Sequence, residues 1–268
     1  MAEDTQTPVA LHDPTQAFKL AGKLVLLTGA SSGIGRQLAA EFAGAGAAVV
    51  LCARRQPMVR AEADRLRQLG AVATGLALDV SDLASIERAF ADTYREYGRY
   101  PDVLIQCAGT MLLKPFLEQT PDDFDQILDT NLRGAFFVAQ RAAAEMVRQG
   151  GGSIIHMAST AGIRPGGHLS SYGASKAGLI HLSRVMAFEL ARYKIRVNVI
   201  CPGNIQTDMH TAFEDAGFTD ALVKRIPQRR FGISEDLVGA ALLLASDAGS
   251  YMTGSVLVVD GGQTVHSL

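Results

Sequence analysis

The sequence predicts an α/β protein: a doubly wound parallel sheet of about seven strands, flanked by helices on both faces. Short β-rich runs alternate with helical stretches of ten or more residues, which implies right-handed crossovers between parallel strands. A glycine-rich turn joins the first run to the first helix. At 268 residues, 48% hydrophobic, the chain is long enough to bury the core of one large domain.

Taken in order, residues 1 to about 17 are polar and aperiodic with two prolines, Pro8 and Pro14, and read as a flexible extended arm. A single domain follows over 18–268. Its strands are expected at Leu24–Leu27, Ala48–Cys52, Gly75–Leu78, Val103–Gln106, Ser153–Met157, Arg196–Ile200 and Val256–Val259. Between most of them apolar residues recur three and four apart, as from Leu38 to Phe42 and from Ile86 to Phe90, which is the helical period. A long apolar helix is expected from about Asp122 to Arg148. The stretch at about 204–230 is too long for an ordinary connection and follows a strand end, where insertions border a ligand crevice.

Charge and cysteine content narrow the function classes. A net charge of -2 and a pI near 6.3 provide no basic field for nucleic acid or an anionic membrane surface. The three cysteines Cys52, Cys107 and Cys201 are widely spaced in apolar runs, which suggests neither a disulfide framework nor a metal knuckle and fits a reducing cytoplasm. The start of the chain lacks the apolar core of a signal peptide, and no apolar run approaches the ~18 residues of a membrane span. The six histidines show no metal-ligand spacing, so no metal is expected.

Two clusters carry chemistry. Gly29, Gly33 and Gly35 follow the first strand and open the first helix, where close backbone approach and a helix N-terminus can hold a pyrophosphate. The bland alternative is a sharp strand-to-helix turn. Asp79, at the end of the third strand, can accept from an adenine amino group or simply cap the next helix. Downstream, Tyr172 and Lys176 stand four residues apart on a helix, facing one way. A neighbouring ammonium favours the phenolate of a tyrosine whose free pKa is about 10. Ser159 emerges at the carboxyl edge of the sheet, where ligands collect. Asn131 inside a long helix needs polar partners. Each also has an ordinary reading: turn residue, packing residue, solvated surface, local helix perturbation.

Taken together these residues resemble the short-chain dehydrogenase/reductase family, over about Phe18 to Gly262. The motifs are Thr28 to Gly35, Asp79, Ala108-Gly109, Asn131, Ser159, Tyr172-x3-Lys176, the segment Pro202 to Thr207, Thr253-Gly254 and Asp260 to Gly262. The resemblance implies a Rossmann-like fold and an NAD(P)-dependent oxidoreductase that interconverts a ketone and a secondary alcohol. It implies Tyr172 as general acid/base, Ser159 polarising the substrate oxygen, Lys176 on the nicotinamide ribose while lowering the tyrosine pKa, and Asn131 holding a water of the proton relay. The implied cofactor contacts are Gly29, Ser31, Ser32, Gly33, Ile34, Gly35, Arg54, Arg55, Asp79, Val80, Ala108, Gly109, Tyr172, Lys176, Pro202, Gly203, Ile205 and Thr207. A homotetramer is also implied. One departure is Gln106-Cys107-Ala108-Gly109, where the family usually has Asn-Asn-Ala-Gly; this puts local rigidity in doubt. A small buried cysteine is the favoured reading of Cys107 over a redox-sensitive thiol.

The choice of cofactor rests partly on an absence. No Asp or Glu occurs between Glu41 and Glu62, where a carboxylate for the adenosine ribose would stand; Arg54 and Arg55 are there instead. A guanidinium there can bind a 2′-phosphate, so NADP(H) is favoured, with NAD(H) the alternative and Arg54 ahead of Arg55. The substrate is a small-molecule carbonyl or alcohol, contacted by Ser159, Tyr172, Met111, His168, Met209 and Phe213. The apolar pocket candidates, which also include Leu112, Phe218 and Leu222, favour a medium-sized carbonyl with hydrophobic parts over a small sugar. Alternatives are a 3-oxoacyl thioester, with Lys114, Arg133 or Arg164 meeting an acidic carrier, and a non-catalytic nucleotide-binding scaffold or sensor.

Overall fold

A computed structural model describes residues 13–207, 217 and 219–265. Seven parallel strands form one sheet in the order β3-β2-β1-β4-β5-β6-β7: β1 Leu24–Thr28, β2 Ala48–Ala53, β3 Ala73–Ala77, β4 Val103–Gln106, β5 Gly152–Met157, β6 Ile195–Pro202 and β7 Val256–Val259. The winding reverses between β1 and β4, which pair from Val25↔Val103 to Thr28↔Gln106. At such a switch point the loops at the carboxyl edge part to leave a crevice.

The strands read as nearly unbroken apolar runs because both faces of the sheet are covered. Side chains alternate between two cores. Val25, Leu27, Val49 and Leu51 pack with α1 (Gly33–Gly44) and α2 (Gln56–Gln68). Leu24, Leu26, Val50 and Leu104 pack against α3 (Leu83–Tyr97) and α5 (Ala135–Gln149). Phe42 and Phe90 are fully buried, one in each layer.

Three local expectations are corrected. β3 runs from Ala73 and ends at Ala77, so Asp79 lies beyond the strand rather than closing it; the chain turns there because the Asp79 N–H donates to Ser85 Oγ at 3.0 Å. Asp13, placed in the extended arm, accepts from the Thr15 N–H and caps a 3-10 turn over Pro14–Phe18. The long helix expected from Asp122 to Arg148 is three pieces: α4 Pro121–Leu128, a π-helical turn Asp129–Gly134, and α5. After β5 come α6 (Ser170–Leu190), β6, then α7 (Thr219–Arg225) and α8 (Val238–Ala245).

Helix α6 lacks a clean apolar stripe. Its buried face carries Ser171, Tyr172, Ser175, Lys176, Leu179, Ile180 and Ser183, and most of its polar groups are satisfied locally: Ser175 Oγ donates to the Tyr172 carbonyl at 2.7 Å and Ser183 Oγ to that of Leu179 at 2.6 Å. Such bonds let a polar face enter the interior at little cost.

Candidate active site

The carboxyl edge brings the two sequence clusters together. At the end of β1, Gly29 has φ +67°, and a Cβ there would lie 2.6 Å from the Ala108 nitrogen; the turn after β4 can approach only a glycine. A side chain at Gly35 would meet the Gly29 carbonyl oxygen at 2.5 Å, so α1 packs directly onto the turn. Ala108 N–H donates to Thr28 Oγ1 and Cys107 N–H to the Thr28 carbonyl, both at 3.2 Å. These bonds tie β4 to β1 without help from a second asparagine. Gln106 Nε2 donates to the Ala135 carbonyl at 2.9 Å, fixing the start of α5. Burial pushes the Cys107 thiol up to about 12, keeping it neutral.

Both arginines after β2 are exposed. Arg55 donates to Ser31 Oγ at 2.9 Å and Ser32 Oγ at 3.0 Å, bridging β2 to the glycine turn. Arg54 acts instead on Asp79. Burial works against that carboxylate, but hydrogen bonds from Ser81 and the charge of Arg54 outweigh it and hold the group below its usual range. Asp79 thus closes its own turn through Ser81, while the cap of α3 is Asp82, whose carboxylate accepts from the Ala84 N–H at 2.9 Å. Val80 is buried, and its carbonyl packs against Gly134 of the π turn. A glycine cradle open to a phosphate, flanked by serine hydroxyls and two guanidinium groups, fits the pyrophosphate and adenosine end of a dinucleotide.

Beside this cradle lies a cavity of about 1140 Å³ whose lining includes Ser159, Tyr172 and Lys176. Ser159 directly follows Ala158 at the end of β5, and its Oγ accepts from the Ala161 N–H at 3.1 Å. It also acts on the Tyr172 phenol, favouring the ionised form. Tyr172 is 8% exposed; burial raises its phenol pKa and Ser159 partly offsets this, so the hydroxyl holds its proton. Lys176 Nζ donates to the Met157 carbonyl at 2.9 Å and sits 5.7 Å from the Tyr172 ring centroid. Burial lowers the ammonium to about 8. At the phenol desolvation dominates.

Asn131 reaches the site because of the π turn. It is 1% exposed; Nδ2 donates to the Thr110 carbonyl at 2.8 Å and to Ser175 Oγ at 3.1 Å, while Oδ1 accepts from the Thr110 N–H at 2.8 Å. A Cβ on Gly109 would lie 3.3 Å from Asn131 Oδ1 and 3.5 Å from Lys176 Nζ, so both polar atoms face the gap this glycine leaves. Pro202, Gly203, Ile205 and Thr207 line the cavity from the end of β6, and Thr207 Cγ2 lies 3.2 Å from where a Gly33 side chain would begin. Ile34 and Gly109 line it as well. Met111, His168 and Leu222 are in the wall, His168 with a left-handed φ of +63°. Leu113 takes the place expected of Leu112. Met209, Phe213 and Phe218 lie outside the described residues.

A family model described as Enoyl-(Acyl carrier protein) reductase matches residues 29–264. D-threitol dehydrogenase of Mycolicibacterium smegmatis is 37% identical over 248 residues, 92% of this chain and 95% of that protein. A crystal structure of a short-chain type dehydrogenase/reductase from Mycobacterium marinum superposes with a TM-score of 0.90 at 39% identity, covering 94% of this chain and 99% of that one. The chain belongs to the short-chain dehydrogenase/reductase family. Like its relatives it is an NAD(P)-dependent oxidoreductase acting on alcohol and carbonyl groups. A gluconate 5-dehydrogenase from Burkholderia cenocepacia, solved with NADP and tartrate, matches with a TM-score of 0.90 at 35% identity over 94% of this chain and 98% of that one.

What the short-chain dehydrogenase/reductase motifs did not disclose are the partners of the site: the Thr110 backbone, the Met157 carbonyl and Ser175. Ser171, Ser175 and Ser183, at multiples of four on one helix, were the available signal for a polar buried face. Among the described residues no group of three His, Cys, Asp or Glu side chains could hold a metal ion, and no helix is long and apolar enough to cross a membrane.

Proposed function

We propose that Tyr172 is the general acid/base of this oxidoreductase, Ser159 holds the substrate oxygen, Lys176 binds the nicotinamide ribose, and Asn131, which faces the gap beside Gly109 together with Lys176, holds a water of the proton relay. The observation that carries this reading is that Ser159, Tyr172 and Lys176 line one cavity together. A bound nicotinamide would supply or accept the hydride. The chain's own part is the proton: a buried phenol that keeps its hydrogen can donate it to a carbonyl oxygen as reduction develops charge there, with Ser159 orienting that oxygen. Nicotinamide turnover against a panel of ketones and secondary alcohols tests the reading, and turnover that survives loss of the Tyr172 hydroxyl would refute it.

For the cofactor we propose a preference for NADP(H). Support comes from the missing carboxylate after β2, from Arg54 and Arg55 beside the cradle, and from the NADP-bound relative. Arg54 is the contact to the 2′-phosphate, since Arg55 is engaged with Ser31 and Ser32. Charge-assisted bonds contribute roughly 1.5–3 kcal/mol, and both arginines are exposed, so the lower end applies. Arg54→Ala is expected to raise the Michaelis constant for NADPH about tenfold and leave that for NADH nearly unchanged. Arg55→Ala, which loosens the serine turn, should affect both cofactors. Steady-state kinetics with the two reduced cofactors decide it; wild-type efficiency that is equal or better with NADH removes the assignment.

We also propose a homotetramer in the cytoplasm. Apolar side chains are exposed on the outer faces of α5, α6 and β7: Phe136 is 38% exposed, Phe188 88% and Val258 41%. A surface of this kind is normally covered. Light scattering at micromolar concentration should give four times the 28.4 kDa chain mass. A monomer would contradict it. The free thiols Cys52 and Cys201, both buried, suit a reducing compartment.

A further inference from the structure

The charged side chains lining the active-site cavity are all of one sign. Arg164, Lys176, Lys224, Arg225 and Arg229 line it, and among the described residues no Asp or Glu does. The chain as a whole is slightly acidic, with 25 Lys and Arg against 27 Asp and Glu, so this asymmetry is local. Lys176 already has a part in the proposed proton chemistry. The other four lie on the loop before α6 and on and just after α7, away from the glycine cradle that suits the pyrophosphate. Like charges gathered around one concave wall repel one another and raise the energy of the empty pocket, unless an anion enters. Other cations of the molecule are paired, Arg36 and Arg65 with Glu62, Arg141 and Arg148 with Glu145, Lys114 with Asp123, in contrast to Lys224 and Arg225.

Two of the four are held in place by backbone. Arg164 Nη1 donates to the carbonyls of Gln263 at 3.2 Å and Thr264 at 3.0 Å, and Arg229 donates to the carbonyl of Lys224. Lys224 and Arg225 sit in the last turn of α7 and make no ion pair among the described residues. Basic residues at a helix C-terminus complement its dipole, which accounts for their type but not for their facing the cavity that Tyr172 lines. The wall also carries apolar side chains, among them Ile34, Met111, Leu113, Leu169, Ile205 and Leu222, which suit a carbon skeleton beside the cations.

We infer that the substrate is a small hydroxy or keto acid, its reacting carbon at Ser159 and Tyr172 and its carboxylate met by Lys224 and Arg225, with Arg229 adding to the field. This deepens the oxidoreductase reading and rests on it for the position of the reacting carbon. Both pocket cations are exposed, which limits the effect to about tenfold in affinity.

The test uses matched pairs that differ only in the charge: gluconate against glucitol, threonate against threitol, and keto acids against their methyl esters. Binding to the full-length protein loaded with NADP⁺ is measured by calorimetry, and turnover is measured separately. The expected result is tighter binding of the charged member, about tenfold, falling towards parity in the double variant Lys224→Gln/Arg225→Gln and kept in the single variant Arg225→Lys. Rising salt should erode the same difference. No preference for the charged members, or a preference that the double variant keeps, overturns the inference; if neutral ketones are still reduced, the oxidoreductase reading stands. Charge-dependent binding without turnover of any member leaves the anion pocket intact and counts against the catalytic roles. A cation-dependent effect seen only with thioesters on an acyl carrier, and not with free acids, also overturns the inference, because the basic residues would then serve a protein surface.

Discussion

Tyr172→Phe is expected to lower turnover about 10²–10⁴-fold. The ring stays, so the packing of a residue that is 8% exposed is undisturbed, and only the hydroxyl with its transferable proton is removed. Because the phenol lies at the cavity and not in the glycine cradle, the dissociation constant of the nicotinamide cofactor should change little. Single-turnover kinetics with a saturating carbonyl substrate separate the two quantities. Near-normal chemistry in this variant would mean that another group supplies the proton, and the next nearest hydroxyl, Ser159, would become the candidate.

The second large effect is at Lys176, where activity and stability should part company. Lys176→Met is expected to reduce turnover by about 10²-fold and to weaken cofactor binding, since both the charge near the reacting centre and the proposed ribose contact are lost. Folding should suffer far less. An ammonium lowered from 10.5 to about 8 by burial costs the folded state on the order of 3 kcal/mol at neutral pH. The bond to the Met157 carbonyl, which the variant gives up, contributes roughly 1.5–3 kcal/mol in the other direction. The two nearly cancel, so denaturant midpoints should differ little. The pH dependence has a definite sign. Between about 8 and 10.5 the unfolded chain keeps the Lys176 proton while the folded chain has released it, so this group makes wild-type stability rise with pH across that window, and below 8 its burial cost is present in full. Subtracting the profile of Lys176→Met isolates the term. A difference profile that is flat, or falls with pH, would mean that Lys176 stays charged when folded.

The fold was readable because its strands are buried on both faces: a run such as Leu24 to Leu27 has no polar face to confuse with a helix, and the alternation of such runs with helical periods leaves few topologies. Site identities were readable for a related reason. Tyr172 and Lys176 share a helix face by local spacing alone, and Gly29 is demanded by the approach of Ala108. What local reasoning could not reach were distances set by the third dimension. That Lys176 donates a hydrogen bond to the Met157 carbonyl depends on where α6 crosses β5, and so does the burial that raises the tyrosine pKa. The preference between Arg54 and Arg55 likewise turns on side-chain direction after β2; Arg55 points to the serines and Arg54 towards Asp79. The cations of α7 were missed because that region has no clear period, and because single-signed lining becomes visible only once distant segments share a wall.

The π turn at Asp129–Gly134 also sets a rule about length. An α-helix advances about 100° per residue, and a wider turn takes up one extra residue, so α4 and α5 differ in rotational phase by what that residue adds. Asn131 faces Thr110 only while the surplus is kept. Deleting any one residue between 129 and 134 would let the backbone relax into an unbroken α-helix, locally better bonded, and would swing everything on its amino-terminal side about 100° around the axis. The segment is therefore far less forgiving of a change in residue number than of a change in side chain. Insertions and deletions that the surface loops on either side could absorb would here dismantle the link between Asn131, Thr110 and Ser175.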